Sequence, residues 1–159
     1  MPTDFGRITQ VLSEGGVEFV LVGGLALTAL GSPRSTEDYD VCYGRRRENL
    51  ERLAAALGPF HPTLRGAPPE LPFHLDVPTL KFGLNFTLNT DLGQIDLLGE
   101  IAGIGPYDAV VALAVEKEMY GCRIQILGLE GLERAKSAAG RLKDLGDLEI
   151  IRALKKRSP

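Results

Sequence analysis

Phe5, Ile8, Val11 and Leu12 recur at three- and four-residue spacing behind a cap at Thr3 or Asp4, which predicts an amphipathic helix ending at Gly15-Gly16. Phe19-Val20-Leu21-Val22 is a short run rich in β-branched residues and predicts a buried strand. It leads into Gly23-Gly24, and Leu25 to Leu30 then predict a small packed helix closed by Gly31 and Pro33. From Asp38 to Tyr43 the alternation places Asp38, Asp40 and Cys42 on one face of a strand and Tyr39, Val41 and Tyr43 on the other. Leu50, Leu53 and Leu57 mark the apolar stripe of another helix, which stops at Gly58-Pro59.

Between there and residue 78 stand Pro59, Pro62, Pro68, Pro69, Pro72 and Pro78, too many for a central strand or a long helix. This stretch predicts a long surface loop, a lid or substrate rim. Leu80 to Asn89 and Gln94 to Leu98 predict a hairpin across Thr90-Asp91-Leu92-Gly93. With Leu88 opposite Ile95, Phe86 faces Leu97 and Thr87 faces Asp96. Phe82, Leu84, Phe86, Leu88, Ile95 and Leu97 then share the core face, while Asp96 joins Asn85, Thr87 and Asn89 on the polar one. Tyr107 and Asp108 start a short structural helix, and Met119 to Leu127 predict a strand with a turn at Gly121. Leu129, Leu132 and Ala135 begin a helix. After Gly140, Leu142, Leu145, Leu148, Ile151 and Leu154 form the apolar stripe of a last one.

The composition, 44% apolar and 25% charged over 159 residues, predicts one globular domain spanning 1–159. The formal charge of −3 excludes a protein that binds nucleic acid through overall basicity. The longest apolar window, Val17 to Leu30, is broken by Glu18, Gly23, Gly24 and Thr28, so neither a secretory signal nor a membrane span is expected. Two cysteines, Cys42 and Cys122, lie far apart and form no CxxC pair, which fits a cytoplasmic protein better than a disulfide scaffold or zinc ribbon. His61 and His74 have no partner cysteine spacing for zinc, and Arg45-Arg46-Arg47 reads as a hydrated helix start.

The chemistry concentrates in three carboxylates and a glycine pair. Alternate residues of a strand point the same way about 7 Å apart, so Asp38 and Asp40 repel one another unless a cation intervenes. Asp96, on the polar face of a neighbouring strand, would complete an oxygen-rich site suited to Mg²⁺ or Mn²⁺. Such crowding is what a two-metal displacement at phosphorus needs. Gly23-Gly24 between a strand and a helix predicts a phosphate cradle of backbone N–H groups. Carboxylates and cradle together point to a metal-bound nucleoside triphosphate.

Val22-Gly23-Gly24, a helix, and Arg34-Ser35-Thr36-Glu37-Asp38-Tyr39-Asp40-Val41 resemble the glycine-pair and Asp-x-Asp signature of the polymerase-beta-like nucleotidyltransferase superfamily. The likeness continues through Gly93-Gln94-Ile95-Asp96-Leu97-Leu98, where that superfamily carries its third carboxylate. Leu129 to Asp144 resembles a segment of small bacterial members, including those related to AbiEii-type toxins. The resemblance implies an α/β (α+β) fold, a minimal nucleotidyltransferase core with a short mixed sheet flanked by helices and helices at the C-terminus. It implies transfer of a nucleoside monophosphate from an NTP to an acceptor hydroxyl on an RNA end, a protein or a small molecule, in a toxin or abortive-infection setting. Asp38, Asp40 and Asp96 would be catalytic and metal-binding, Asp96 also helping to deprotonate the acceptor. Gly23, Gly24, Arg34, Thr36, Lys136, Lys143 and Asp144 would hold the nucleotide.

Two departures from that pattern shape the alternatives. Many transferases carry Gly-Ser where this chain has Gly23-Gly24, so a hydroxyl for a terminal phosphate is missing. The length also leaves no room for a large second domain, so the acceptor site is expected from the proline-rich loop, the C-terminal helices, or a second subunit, as a homodimer or with an operon partner. The non-enzymatic alternative is a catalytically silent nucleotide-binding or antitoxin-like partner-binding module of the same fold. A nuclease is disfavoured because a phosphate cradle serves a triphosphate tail and not a duplex backbone. Cys42 beside the aspartates reads as a small filler of the core.

Overall fold

A computed structural model of the chain describes residues 2–68 and 70–157; Pro69 of the proline-rich stretch, and Met1, Ser158 and Pro159 of the expected single domain, lie outside the described residues. The chain runs α1 (Phe5–Glu14), β1 (Phe19–Val22), α2 (Gly23–Ala29), β2 (Tyr39–Tyr43), α3 (Arg47–Leu57), β3 (Thr63–Leu64), α4 (Val77–Phe82), β4 (Phe86–Thr90) and β5 (Gly93–Leu98). It continues with β6 (Glu100–Ile101), β7 (Gly105–Pro106), α5 (Tyr107–Val111), β8 (Ala114–Met119), β9 (Cys122–Leu127), α6 (Leu129–Ala139) and α7 (Leu142–Arg157). Seven strands form one mixed sheet in the order β3-β4-β5-β2-β1-β9-β8, while β6 and β7 make a separate two-stranded ribbon. Strand β2 is central, antiparallel to β1 and parallel to β5.

The two faces of β2 have different covers. Tyr39 packs its ring against Phe5 of α1, and its hydroxyl is 2.7 Å from the Thr9 hydroxyl, so the odd-numbered residues face α1. Asp40 points to the opposite side, where α2 packs on β1 and β2 and touches α6, itself paired with α7. The core is continuous from Ile8 and Leu12 through Leu21, Val41, Leu88 and Ile95 to Ile126 and Ile151. Cys42 is fully buried, and burial pushes its thiol up to about 12, so it stays protonated and acts as a filler.

The hairpin register agrees with the sequence pattern: Leu88 pairs with Ile95, Phe86 with Leu97 and Thr87 with Asp96. Its first strand is shorter than the pattern predicts. Asp76 accepts a hydrogen bond from the Thr79 backbone N–H at 2.9 Å and Pro78 sits in the first turn, so Val77–Phe82 becomes the helix α4. Phe82 and Leu84 therefore leave the core face, and Phe82 is 98% exposed. The C-terminal end of α4 is held by Arg45, whose guanidinium donates to the Leu80 and Lys81 carbonyls at 3.0 and 3.2 Å. The proline-rich stretch is a loop for most of its length, but it contributes the edge strand β3, paired with β4. Met119 to Leu127 is the end of a hairpin, β8 turning at Tyr120-Gly121 into β9.

The last helix also differs. Asp144, Leu148 and Ile151, spaced i, i+4 and i+7, are its buried line, whereas Leu142 and Leu145 are exposed, Leu142 at 88%. A carboxylate occupies the place in the first turn that a leucine stripe was expected to fill. Among the described residues no helix is long and apolar enough to cross a membrane.

Candidate functional site

Parallel pairing of β2 with β5 sets Asp40 directly beside Asp96. Two apolar runs pair in the register that buries Val41 against Leu97, and the intervening positions must then carry both carboxylates to the other face. Asp40 Oδ1 and Asp96 Oδ1 are each buried with no hydrogen-bond partner among the described residues. Burial, then the neighbouring Asp96 charge, then Asp38 push the Asp40 carboxyl up to about 7, and Lys136 only partly opposes them. Asp38 is exposed, with its backbone N–H donating to the Thr36 hydroxyl at 3.2 Å.

The glycine pair is required by close approach. Gly23 has φ +72°, and a Cβ there would stand 2.5 Å from Asp40 Oδ2; a Cβ on Gly24 would stand 3.0 Å from Thr36 Oγ1. Helix α2 has only seven residues, so its dipole adds less to anion binding than the strand-glycine-helix pattern implies. Gly23→Ala should lower stability by about 1–3 kcal/mol through left-handed strain and the clash with Asp40, read as a lower urea midpoint at unchanged slope.

A cavity of about 400 Å³ opens over these residues. Gly23, Gly24, Thr36, Asp38, Asp40 and Asp96 line one side; Leu98, Ile101, Leu127 and Leu132 form an apolar wall; Arg34, Lys136, Arg141 and Lys143 bring positive charge. The loop bearing Arg34 is fixed by hydroxyls: Thr28 donates to the Arg34 carbonyl at 3.0 Å, and the Arg34 N–H donates to Ser32 Oγ at 3.2 Å. Helix α7 supplies the counter-charges. Asp147 stands 2.8 Å from Arg34 and 3.0 Å from Lys136, and Asp144 stands 3.4 Å from Lys136 and 2.8 Å from Arg141. Asp144 is fully buried, and hydrogen bonding from Arg141 first, with Lys136 beside it, holds its carboxyl down at about 2.

The structure thus brings Gly23, Gly24, Arg34, Thr36, Asp38, Asp40, Asp96, Lys136 and Lys143 to one cavity. Asp144 lies behind it, holding Lys136 and Arg141, and does not line it. Arg65, Arg141 and Asp147 are the charged residues here that sequence reasoning passed over. Arg65 reaches Asp96 from beyond β4, with Nη2 3.0 Å from Oδ1. The available signal was its place two residues after Thr63, on the polar side of an edge strand, but the prolines hid that strand.

Among the described residues, no three His, Cys, Asp or Glu side chains form a group able to hold a metal ion by themselves. The donor set nevertheless fits Mg²⁺ or Mn²⁺: two adjacent carboxylates have buried oxygens that accept no hydrogen bond, and Mg²⁺ is bound through one or two carboxylates with waters and substrate phosphates completing its shell.

No protein-family model matches the chain, and no curated protein matches it by sequence. Among solved structures the chain is similar to the lincosamide antibiotic adenylyltransferase LnuA in its lincomycin-bound form, with TM-score 0.63, 13% identity, and coverage of 97% of this chain and 99% of that one. It is also similar to an antigenic nucleotidyltransferase-like protein from Paracoccidioides brasiliensis, with TM-score 0.58 and 16% identity over 97% of this chain and 78% of that one. A third match is TM1012, a provisionally assigned nucleotidyltransferase from Thermotoga maritima, with TM-score 0.53 and 20% identity over 94% of this chain and 87% of that one. The fold is nucleotidyltransferase-like, a mixed seven-stranded sheet with a C-terminal helix pair.

Proposed function

We propose that this chain is a metal-dependent nucleotidyltransferase, moving a nucleoside monophosphate from an NTP to an acceptor hydroxyl with release of pyrophosphate. The observation that carries this reading is the side-by-side placement of Asp40 and Asp96, each with a buried oxygen that accepts no hydrogen bond, in a cavity that also holds Arg34, Lys136, Arg141 and Lys143. Mg²⁺ or Mn²⁺, held by Asp40 and Asp96 with Asp38 beside them, supplies charge stabilisation at phosphate oxygens when bound.

The chain's own side chains account for the remainder. Arg34, Lys136 and Lys143 offset the charge of the triphosphate, and Gly23 and Gly24 leave space for it against Asp40 and Thr36. The apolar wall of Leu98, Ile101, Leu127 and Leu132 suits the flat face of a base. Asp96 accepts the proton of the acceptor hydroxyl as that oxygen bonds to the α-phosphorus. The bond from this phosphorus to the oxygen bridging to the β-phosphate breaks, and pyrophosphate leaves with that electron pair. The acceptor is an RNA end, a protein or a small molecule; the toxin-type setting rests on the likeness of residues 129–144 to AbiEii-related proteins.

One observation favours a silent nucleotide-binding or partner-binding module. Arg34 and Lys136 are both already paired with Asp147, so a nucleotide must compete with a carboxylate for them. Incubation with each α-labelled NTP, Mg²⁺ or Mn²⁺, total RNA and cell lysate distinguishes the two. The transferase reading expects label on one acceptor class, lost in Asp40→Asn and with a chelator. Labelling that persists in Asp40→Asn overturns the carboxylate assignment, whereas nucleotide binding without labelled product supports the silent module.

A further inference from the structure

Arg65 stands immediately after the edge strand β3, and its contacts divide into two kinds. Its backbone N–H donates to the Thr87 carbonyl at 2.9 Å and its Nη2 donates to the Leu88 carbonyl at 2.8 Å, so main-chain atoms of β4 hold it in place. The same Nη2 lies 3.0 Å from Asp96 Oδ1, yet that oxygen has no partner in hydrogen-bond geometry, and the guanidinium Nε is likewise buried without one. The contact with Asp96 is therefore one of charge, and the arginine can lose it while keeping both backbone anchors. Arg65 does not line the nucleotide-sized cavity; it approaches Asp96 across β4, from the opposite side of β5 to Asp40.

We propose that Arg65 is the resident counter-ion of Asp96, occupying the carboxylate that a divalent cation must take and so opposing cation binding until a nucleotide's phosphates arrive with it. This rests on the transferase reading of the same carboxylates. An arginine keeps its charge at every working pH, so the opposition is permanent. A dication drawn to Asp40 and Asp96 meets a fixed positive charge 3.0 Å from one of its two protein ligands. A triphosphate adds negative oxygens to the cation's shell and offsets that repulsion. Free metal is then held weakly and metal-nucleotide well, which keeps the carboxylate pair from being occupied unproductively. Arg65 is by this argument a positioning residue, acting through Asp96.

The test is Mn²⁺ binding by the full chain, followed by the electron paramagnetic resonance signal of free Mn²⁺, with and without a non-cleavable ATP analogue. Arg65→Gln, which keeps a donor for the Leu88 carbonyl but no charge, should bind Mn²⁺ about tenfold more tightly than wild type without nucleotide, and the difference should shrink when the analogue is present. Arg65→Lys, which keeps the charge, should stay near the wild-type affinity. Equal affinities in Arg65→Gln and wild type, or equal tightening in Arg65→Gln and Arg65→Lys, would overturn the proposal. Asp40→Asn separates this failure from that of the parent reading: Mn²⁺ binding unchanged in that variant removes the carboxylate site itself, whatever Arg65 does.

Discussion

Asp40→Asn should reduce nucleotidyl transfer by at least about a thousandfold and, at pH 8 without metal, make the protein more stable than wild type. The first effect follows from the several kcal/mol of transition-state charge stabilisation that a bound cation supplies, each 1.36 kcal/mol being roughly tenfold in rate. The second follows from electrostatics. Asp40 is partly buried beside Asp96 and Asp38, and its carboxyl is raised to about 7 from an ordinary 3.8. A raised carboxyl binds its proton more tightly folded than unfolded, so its favourable contribution is present in full below about pH 4 and is lost as pH climbs to 7. After discount for solvent screening the loss is on the order of 1–3 kcal/mol. Asparagine carries no charge to desolvate and escapes it. Thermal melts of both proteins with EDTA should coincide near pH 4 and separate by pH 8, with the variant higher. A variant less stable than wild type at pH 8 would show that Asp40 is not under repulsion, and added Mg²⁺ should stabilise wild type alone.

Asp144→Ala should damage the fold, costing about 2–3 kcal/mol and roughly 5–10 °C in Tm. Asp144 is completely buried and accepts from the Arg141 backbone N–H at 3.1 Å, from Arg141 Nε at 2.8 Å and from Arg141 Nη2 at 3.2 Å. It also shares Lys136 with Asp147. Removing it leaves a methyl-lined space and a lysine with one counter-charge in place of two. Arg141 is half-exposed and recovers water, which keeps the cost toward the low end for a broken buried pair. The pH dependence runs opposite to that of Asp40. A carboxyl lowered to about 2 contributes above the ordinary carboxylate range and loses that contribution as pH falls from 3.8 toward 2. The gap between wild type and Asp144→Ala in urea melts should therefore narrow between pH 7 and pH 3. A constant gap would assign the effect to lost packing.

The sequence by itself determined the elements whose period is unambiguous and whose partners are near in the chain. Strand β1 spans the four residues the apolar run marked, α1 is capped by Asp4 at its expected start, and the β4–β5 register follows from alternation because a one-residue slip would put Phe86 and Leu88 on the opposite face from Ile95 and Leu97. It also determined that Asp40 and Asp96 leave the core on polar faces. Where local capping competed with alternation the pattern misled. The Asp76-Val77-Pro78 signal turned the start of an expected strand into α4, and a buried carboxylate at 144 displaced the expected leucine stripe of α7.

Only the tertiary structure decided which charges meet. Asp40 and Asp96 are 56 positions apart, and their adjacency rests on the parallel pairing of β2 with β5, which no local period encodes. The ion pairs of Arg34 with Asp147 and of Arg65 with Asp96 join segments 113 and 31 residues apart. Lys136, Asp144 and Asp147 come together because α6 folds back against α7. Hydrophobic periodicity reports which side of an element faces the core, since burial depends on each element's own face. A charged side chain's partner depends on where distant elements pack, and that information exists only once the sheet has closed around β2.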